Sequence, residues 1–243
     1  MISIDELKRI KEIRKTSLYY AEKEYLQYIF LNSLSKYAEH FAFKGGTCLR
    51  IAYETERASE DIDFNTDFSV KDIKKIVPKL LKDFEYLNIA YDIYAEKMFE
   101  GNYRTEIGFQ GPLYTGDKRT RNTLKIDVNK RKVMHKEARL IKKLFSDVPP
   151  FTILVMEKKE ILAEKLRALC MRTEPRDLYD VWAMLSLGEK IDKKLLNKKL
   201  EEDNITEFKL QVPLKKSYEN DLKLLLKNVP DYDDVVRLVK NSI

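Results

Sequence analysis

The pattern of apolar and polar positions predicts helices at both ends of the chain. At the start, apolar residues recur at helical spacing over residues 3–14 and 18–38. A third helical stripe follows Ser69, which with an aspartate three residues on resembles a capping box. From Glu157 onward the pattern is again helical, and Pro175 suits the first turn of a new helix. Between these helical segments the pattern predicts the strands of a sheet.

That middle region alternates between apolar and polar residues, as half-buried strands do. The predicted strands cover residues 40–43, 61–64, 87–98, 103–109, 124–128 and 151–155. The third to fifth of these predict an antiparallel meander beside the second, in which D-I-D-F is the expected strand end. A Pro149-Pro150 break follows the meander. We therefore predict an α/β (α+β) fold, with a small mixed sheet flanked by helices in residues 1–155 and a helical domain in residues 156–243.

Composition indicates a folded globular protein with a preference for polyanionic partners. Of the 243 residues, 44% are hydrophobic and 35% are charged, which argues against disorder. There are 46 basic and 40 acidic residues, so the net charge is +6 and the isoelectric point is about 9.0. Nucleotides, RNA or an acidic protein are therefore favoured partners, although the two signs of charge are interspersed.

The small numbers of cysteine and histidine argue against some kinds of site. Two cysteines and two histidines without metal-ligand spacing argue against a zinc site, and so few cysteines fit a reducing, cytoplasmic location. No apolar run approaches the roughly 20 residues that span a bilayer. The first residues also lack the apolar core of a signal peptide. We expect no membrane partner.

The segment from Phe43 to Phe64 carries the densest candidate chemistry. Asp61 and Asp63 are two apart in a predicted strand, so both carboxylates share one face and suit a hard divalent cation, Mg²⁺ first. Upstream, the backbone of Gly45, Gly46 and Thr47 can turn sharply into a helix, whose first N–H groups suit a phosphate. The alternative is a plain turn followed by two solvated aspartates.

A second candidate lies in the strand at 124–128. Its apolar residues share one face, so Lys125 and Asp127 share the other. Asp127 can be a third carboxylate of a two-metal site, or it can simply pair with Lys125 on an exposed face.

A third candidate spans two predicted helices. Lys165 and Arg172 share a face of the first helix, and Asp177 and Asp180 share a face of the second. These charges can form a constellation at a binding cleft, or weak salt bridges on the surface. The spacing does not distinguish the roles of the two aspartates.

Taken in order, these segments resemble the motifs of the AbiEii/AbiGii-type nucleotidyltransferase toxins. The matching stretches are GGT-x-L with R-x-S-x-D-I-D-F, then K-I-D-V, then K-x-x-A-L-x-x-R-x-x-x-R-D-x-x-D-x-W. The resemblance implies a nucleotidyltransferase-like sheet and a helical domain that contributes to the active-site cleft. It implies that Mg²⁺, or alternatively Mn²⁺, is held by Asp61, Asp63 and Asp127. It further implies that Lys165 contacts the nucleotide phosphates, that Asp177 orients the site, and that Arg57 and Ser59 support the loop or the phosphates.

The function that the resemblance implies is transfer of a nucleoside monophosphate from an NTP to an acceptor, with the 3′ end of tRNA expected. The protein would then be the toxin of a toxin–antitoxin or phage-defence pair, with an unidentified antitoxin, and we expect a monomer. The basic loop at Lys118 to Arg121 can touch RNA or be a solvated hairpin tip. Two alternatives stay open: a GTP- or NTP-binding toxin without an RNA product, and a nucleotidylyltransferase or kinase that acts on a protein.

Overall fold

A computed structural model describes residues 1–99 and 101–243. The chain divides into two compact units, Met1–Val155 and Met156–Ile243, which we call the sheet unit and the helical unit. Within the described residues, no helix combines the length and the hydrophobicity needed to cross a bilayer.

The sheet unit contains four α-helices and seven strands in the part of the chain that the structure describes. The helices are α1 (Ile4–Ile13), α2 (Leu18–Leu34), α3 (Gly45–Ala52) and α4 (Val70–Tyr86). The strands are β1 (Phe41–Lys44), β2 (Asp61–Thr66), β3 (Tyr91–Phe99), β4 (Asn102–Phe109), β5 (Asn122–Asn129), β6 (Lys136–Ile141) and β7 (Phe151–Met156). Serine N-caps of α1, α2 and α4 accept bonds from backbone N–H groups of the first turn, which explains where these helices begin.

The strands form one mixed sheet in the order β3-β4-β5-β2-β1-β7-β6. As predicted, β3, β4 and β5 make an antiparallel meander beside β2. β2 pairs with β5 in parallel and with β1 antiparallel. The predicted α/β class with a small mixed sheet is confirmed.

The two faces of the sheet differ in character because side chains alternate along each strand. One face is apolar and packs against α2 and α4: the ring of Phe64 lies 6.4 Å from that of Phe30, and the ring of Phe109 lies 4.4 Å from that of Phe84. The other face of the central strands is polar and carries the predicted carboxylates. We call it the polar face.

Two local predictions were wrong, and one strand was missed. The D-I-D-F motif begins β2 instead of ending it, and the strand continues through Asn65 and Thr66, because both residues pair with neighbouring strands although they are polar. The second helix ends at Leu34, and a 3₁₀ segment, Ser35–His40, follows it. Strand β6 was not predicted.

In the part of the chain that the structure describes, the helical unit contains five α-helices. They are α5 (Lys158–Met171), α6 (Pro175–Ser186), α7 (Lys193–Glu201), α8 (Lys215–Leu222) and α9 (Tyr232–Ser242). Pro175 occupies the first turn of α6, as predicted. Lys199 is 1% exposed at the centre of the unit and pairs with Glu160 at 2.7 Å. This pair fixes α7 against α5.

Candidate active site

The predicted phosphate cradle is the tight turn between β1 and α3. Lys44 ends β1 opposite Asp63 of β2, and α3 begins at once with Gly45. Gly45 has φ of +78°, and a Cβ there would overlap the Oδ2 atom of Asp63. Glycine is therefore required on both counts, by backbone conformation and by close approach. The first N–H groups of α3 consequently lie beside the Asp63 carboxylate.

The segment before β2 supports this turn. A Cβ on Gly46 would overlap the guanidinium of Arg57 and lie 3.0 Å from Oγ of Ser59, so these two residues pack directly against the turn. Arg57 is buried, and its Nη1 donates to the carbonyl of Ala58 at 2.9 Å. The buried hydroxyl of Thr47 donates to the carbonyl of Asp61. These contacts place Arg57 and Ser59 beside the turn, and their support of the loop or the phosphates stays a prediction.

A buried ion cluster anchors α3 to the first two helices. Arg50 of α3 is 3% exposed and pairs with Glu24 of α2 at 3.2 Å. Arg14, just after α1, pairs with the same carboxylate at 2.6 Å. Removing one member of a buried ion cluster leaves an uncompensated charge, which is strongly unfavourable. The helix that presents the cradle is thus held rigidly, and the sequence analysis did not identify this cluster.

The three predicted carboxylates lie on adjacent strands of the polar face. Asp63 and Asp127 are directly opposite each other in the parallel pair β2–β5, and Asp61 is opposite Lys125. Burial raises the pKa of Asp61 above its usual value. The ammonium of Lys125 opposes this shift, whereas the Asp127 carboxylate adds to it. Burial therefore favours the protonated form of Asp61 unless a cation lies close to it.

Arg104 of β4 completes this row of the polar face. It lies opposite Asp127, and its Nε donates to Oδ1 of Asp127 at 2.5 Å. This hydrogen bond, followed by the charges of Asp127, Asp61 and Asp63, raises the pKa of the Arg104 guanidinium. One cation thus faces all three carboxylates. The sequence reasoning missed Arg104, although its i, i+2 spacing with Glu106 in the meander marks a polar strand face.

The carboxylate oxygens of the three aspartates are the type of ligand that a hard divalent ion prefers. Carboxylate oxygens are the ligands that Mg²⁺ prefers, and the strand register brings Asp61, Asp63 and Asp127 to one part of the polar face. Among residues 1–99 and 101–243, no three histidine, cysteine or acidic side chains are arranged so that they could hold a metal ion as they stand. Asp127 is engaged by Arg104 in this arrangement. Metal binding by these residues stays a prediction.

The third candidate forms a compact charge cluster within the helical unit. Lys165 of α5 pairs with Asp177 at 2.7 Å and with Asp180 at 2.8 Å, both on α6. Arg172 donates to the other oxygen of Asp177 at 2.8 Å. Both aspartates are at most 3% exposed, so this cluster is not a set of weak surface salt bridges. Asp177 orients the lysine, and contact of that lysine with phosphate stays a prediction.

Comparison with known proteins identifies the family. The sequence profile described as nucleotidyl transferase AbiEii toxin, Type IV TA system, matches residues 29–237. The chain belongs to this family. The resemblance that the motifs predicted is therefore confirmed: the protein is a nucleotidyltransferase toxin of the type IV toxin–antitoxin class, which implies a nucleotide substrate and an antitoxin.

Solved structures show the same fold. MenT4, a nucleotidyltransferase toxin from Mycobacterium tuberculosis, superposes with a TM-score of 0.72 at 17% identity, over 99% of this chain and 88% of that chain. JHP933 from Helicobacter pylori gives a TM-score of 0.62 at 21% identity, over 93% and 91% of the two chains. A putative nucleotidyltransferase from H. pylori gives 0.60 at 20% identity, over 90% and 91%. No curated protein matches the chain.

Proposed function

We propose that this toxin transfers a nucleoside monophosphate from an NTP to the 3′ end of an RNA, with tRNA as the first acceptor to test. One observation carries the proposal. The residues Lys44, Asp63, Asp127 and Arg104 form a single row across the polar face, and the glycine turn of α3 adjoins its Lys44 end. The row sets carboxylates and cations beside backbone that a phosphate can approach closely, as nucleotidyl transfer requires.

In the proposed reaction the cradle binds the triphosphate through the first N–H groups of α3. The acceptor hydroxyl oxygen forms a bond to the α-phosphorus, while the bond from that phosphorus to the pyrophosphate oxygen breaks. Asp127 accepts the hydroxyl proton, and pyrophosphate leaves. Mg²⁺, or alternatively Mn²⁺, bound by Asp61, Asp63 and Asp127 would supply neutralising charge for the triphosphate.

We propose that the charge cluster of Lys165, Asp177 and Asp180 in the helical unit supports nucleotide binding. By family resemblance, the ammonium of Lys165 contacts the nucleotide phosphates. Its ion pairs with Asp177 and Asp180 hold this ammonium in a defined place, which reduces the conformational entropy lost on binding. A role in phage defence, a cytoplasmic location and a monomeric state are proposed from the sequence alone.

One incubation series tests the proposed function. The protein is mixed with Mg²⁺ and each α-labelled NTP in turn, with and without total tRNA. The variant Asp61→Ala/Asp63→Ala runs alongside, and Asp5→Ala, which removes an exposed carboxylate of α1, is the control. We expect label on RNA from the wild type and the control, and none from the double variant. The labelled NTP names the preferred base.

Two other results would overturn the proposal. Label on protein would establish nucleotidylylation of a protein acceptor. Absence of any labelled product, with NTP binding intact, would establish an NTP-binding toxin that makes no covalent product. Because the label appears on RNA, on protein or on neither, one gel separates the three outcomes.

A further inference from the structure

A cavity of about 420 Å³ lies at the Asn65 end of β2, two residues along the strand from Asp63. We call it the Asn65 cavity. Its lining includes Ala42, Asn65 and Asp67 from β1, β2 and the residues just after β2, together with Lys130, Lys132 and Lys136. The lysines belong to the loop between β5 and β6 and to the start of β6. A volume of this size accommodates a small organic ligand.

The side chain of Asn65 marks this cavity as a binding site. Asn65 is 2% exposed, and both its Oδ1 and its Nδ2 are buried. Neither atom has a hydrogen-bond partner within the part of the chain that the structure describes. Leaving a buried amide unpaired costs about 1–3 kcal/mol, so an asparagine here is unfavourable for the fold alone. An incoming group that both accepts and donates would satisfy it.

The charges around the cavity favour an anion. Lys130, Lys132 and Lys136 are exposed, and none of them forms an ion pair with an acid among the described residues. Two acids, Glu39 and Asp67, also line the cavity, and ring nitrogens of His40 lie 3.4 Å and 3.2 Å from their carboxylate oxygens. Cations beside one unpaired amide match a nucleotide, whose phosphate is anionic and whose base edge carries adjacent donors and acceptors.

The strand register places Asn65 on the far side of Asp63 from the glycine turn. Ala42 is opposite Asn65 and Lys44 is opposite Asp63, so Asp63 lies between the glycine turn and Asn65. Rows on one face are separated by two residues, or roughly 7 Å. In phosphoryl transfer the attacking and leaving oxygens lie in line on opposite sides of the phosphorus. With the triphosphate on the glycine turn, the acceptor approaches from the Asn65 side.

We infer that the Asn65 cavity binds a nucleotide of the acceptor strand near its reacting end. The base edge meets the amide of Asn65, and the phosphate meets the lysines that line the cavity. This inference rests on the proposed function. The base of the NTP has the same chemistry, and the experiment below distinguishes these two sources.

The first test removes the lysines of the cavity with the variant Lys130→Ala/Lys132→Ala/Lys136→Ala. The control is Lys71→Ala/Lys79→Ala/Lys82→Ala, which removes three exposed lysines of α4, the helix that packs on the apolar face. We expect the cavity variant to raise the KM for RNA about tenfold and to reduce the salt slope of RNA binding by about 2. The control should change neither, and NTP affinity should stay at the wild-type value in both.

The second test removes the amide with Asn65→Leu. We expect the Tm to stay the same or rise, because an unpaired buried amide is replaced by an apolar side chain of similar size. The KM for RNA should rise at least about fivefold, as loss of a buried hydrogen-bonding group predicts. A purely structural asparagine would behave in the opposite way, with a lower Tm and an unchanged KM, and that result would overturn the inference.

The remaining outcomes are also decisive. If the KM for RNA is unchanged in both variants while transfer continues, the cavity is not the acceptor site. Weaker NTP affinity with unchanged KM for RNA would assign the cavity to the base of the NTP and overturn the inference. If the wild type labels no RNA, the proposed function fails and the inference fails with it. Failure of the proposed function shows in the wild type, whereas failure of the inference alone shows only in the variants. The two failures are therefore distinguishable.

Discussion

The substitution Gly45→Ala tests the geometry of the glycine turn most directly. Gly45 has φ of +78°, a left-handed conformation that costs an L-residue about 1–2 kcal/mol. An added Cβ would also overlap Oδ2 of Asp63 and lie 3.2 Å from its Cγ. Gly45 begins helix α3, which buried ion pairs hold in place. We therefore expect the added methyl group to displace the carboxylate of Asp63 instead of the backbone.

A matched control separates backbone strain from displacement of the carboxylate. Gly188 has φ of +88°, and apart from its two chain neighbours no residue of the described chain lies within 4 Å of a Cβ placed there. Gly45→Ala and Gly188→Ala should each lower the free energy of unfolding by about 1–2 kcal/mol, or the Tm by about 2–8 °C. Gly45→Ala alone moves Asp63, and a misplacement of about 1 Å near the reacting atoms costs about 10²-fold in rate.

The assay compares the two variants below both unfolding transitions. Circular dichroism gives each Tm, and transfer of label from an α-labelled NTP gives each rate. We expect similar losses of Tm and a rate about 10²-fold lower for Gly45→Ala than for Gly188→Ala. Equal rates would refute the reasoning, because they would show that the position of the Asp63 carboxylate does not matter for transfer.

Three further substitutions probe the charges of the site. Asp61→Asn should abolish transfer and raise the Tm at pH 7: burial raises the pKa of Asp61, so its ionised form destabilises the fold above that pKa. The gain should vanish toward about pH 4, and a gain that persists there would contradict this. Lys165→Ala should weaken NTP binding and lower the free energy of unfolding by about 3–5 kcal/mol, since two buried carboxylates lose their shared cation; an unchanged Tm in thermal unfolding would count against it. Arg104→Gln should tighten Mg²⁺ binding in calorimetry by releasing Asp127, and an unchanged affinity would show that Arg104 does not compete for that carboxylate.

The placement of the carboxylates along each strand could be predicted from the sequence. Alternation with period two puts Asp61 and Asp63 on one face whatever their neighbours are, and it does the same for Lys125 and Asp127. The two glycines before a helical pattern likewise predict a tight turn. These are local relations, which depend on covalent geometry and therefore survive any error about the rest of the fold. The family could be predicted because its motifs are such local patterns.

The tertiary structure decided which strands pair and which charges meet. β2 pairs in parallel with β5, and this register brings Asp63 opposite Asp127. The antiparallel register of β4 and β5 then brings Arg104 opposite Asp127. No spacing within β2 or β5 encodes that register, because the pairing energy is shared by the whole sheet and the partners are distant in sequence. For the same reason the end of the second strand was wrongly predicted at Phe64. Asn65 is polar, yet it continues the strand and is buried, with Ala42 and Asn129 opposite it on the neighbouring strands.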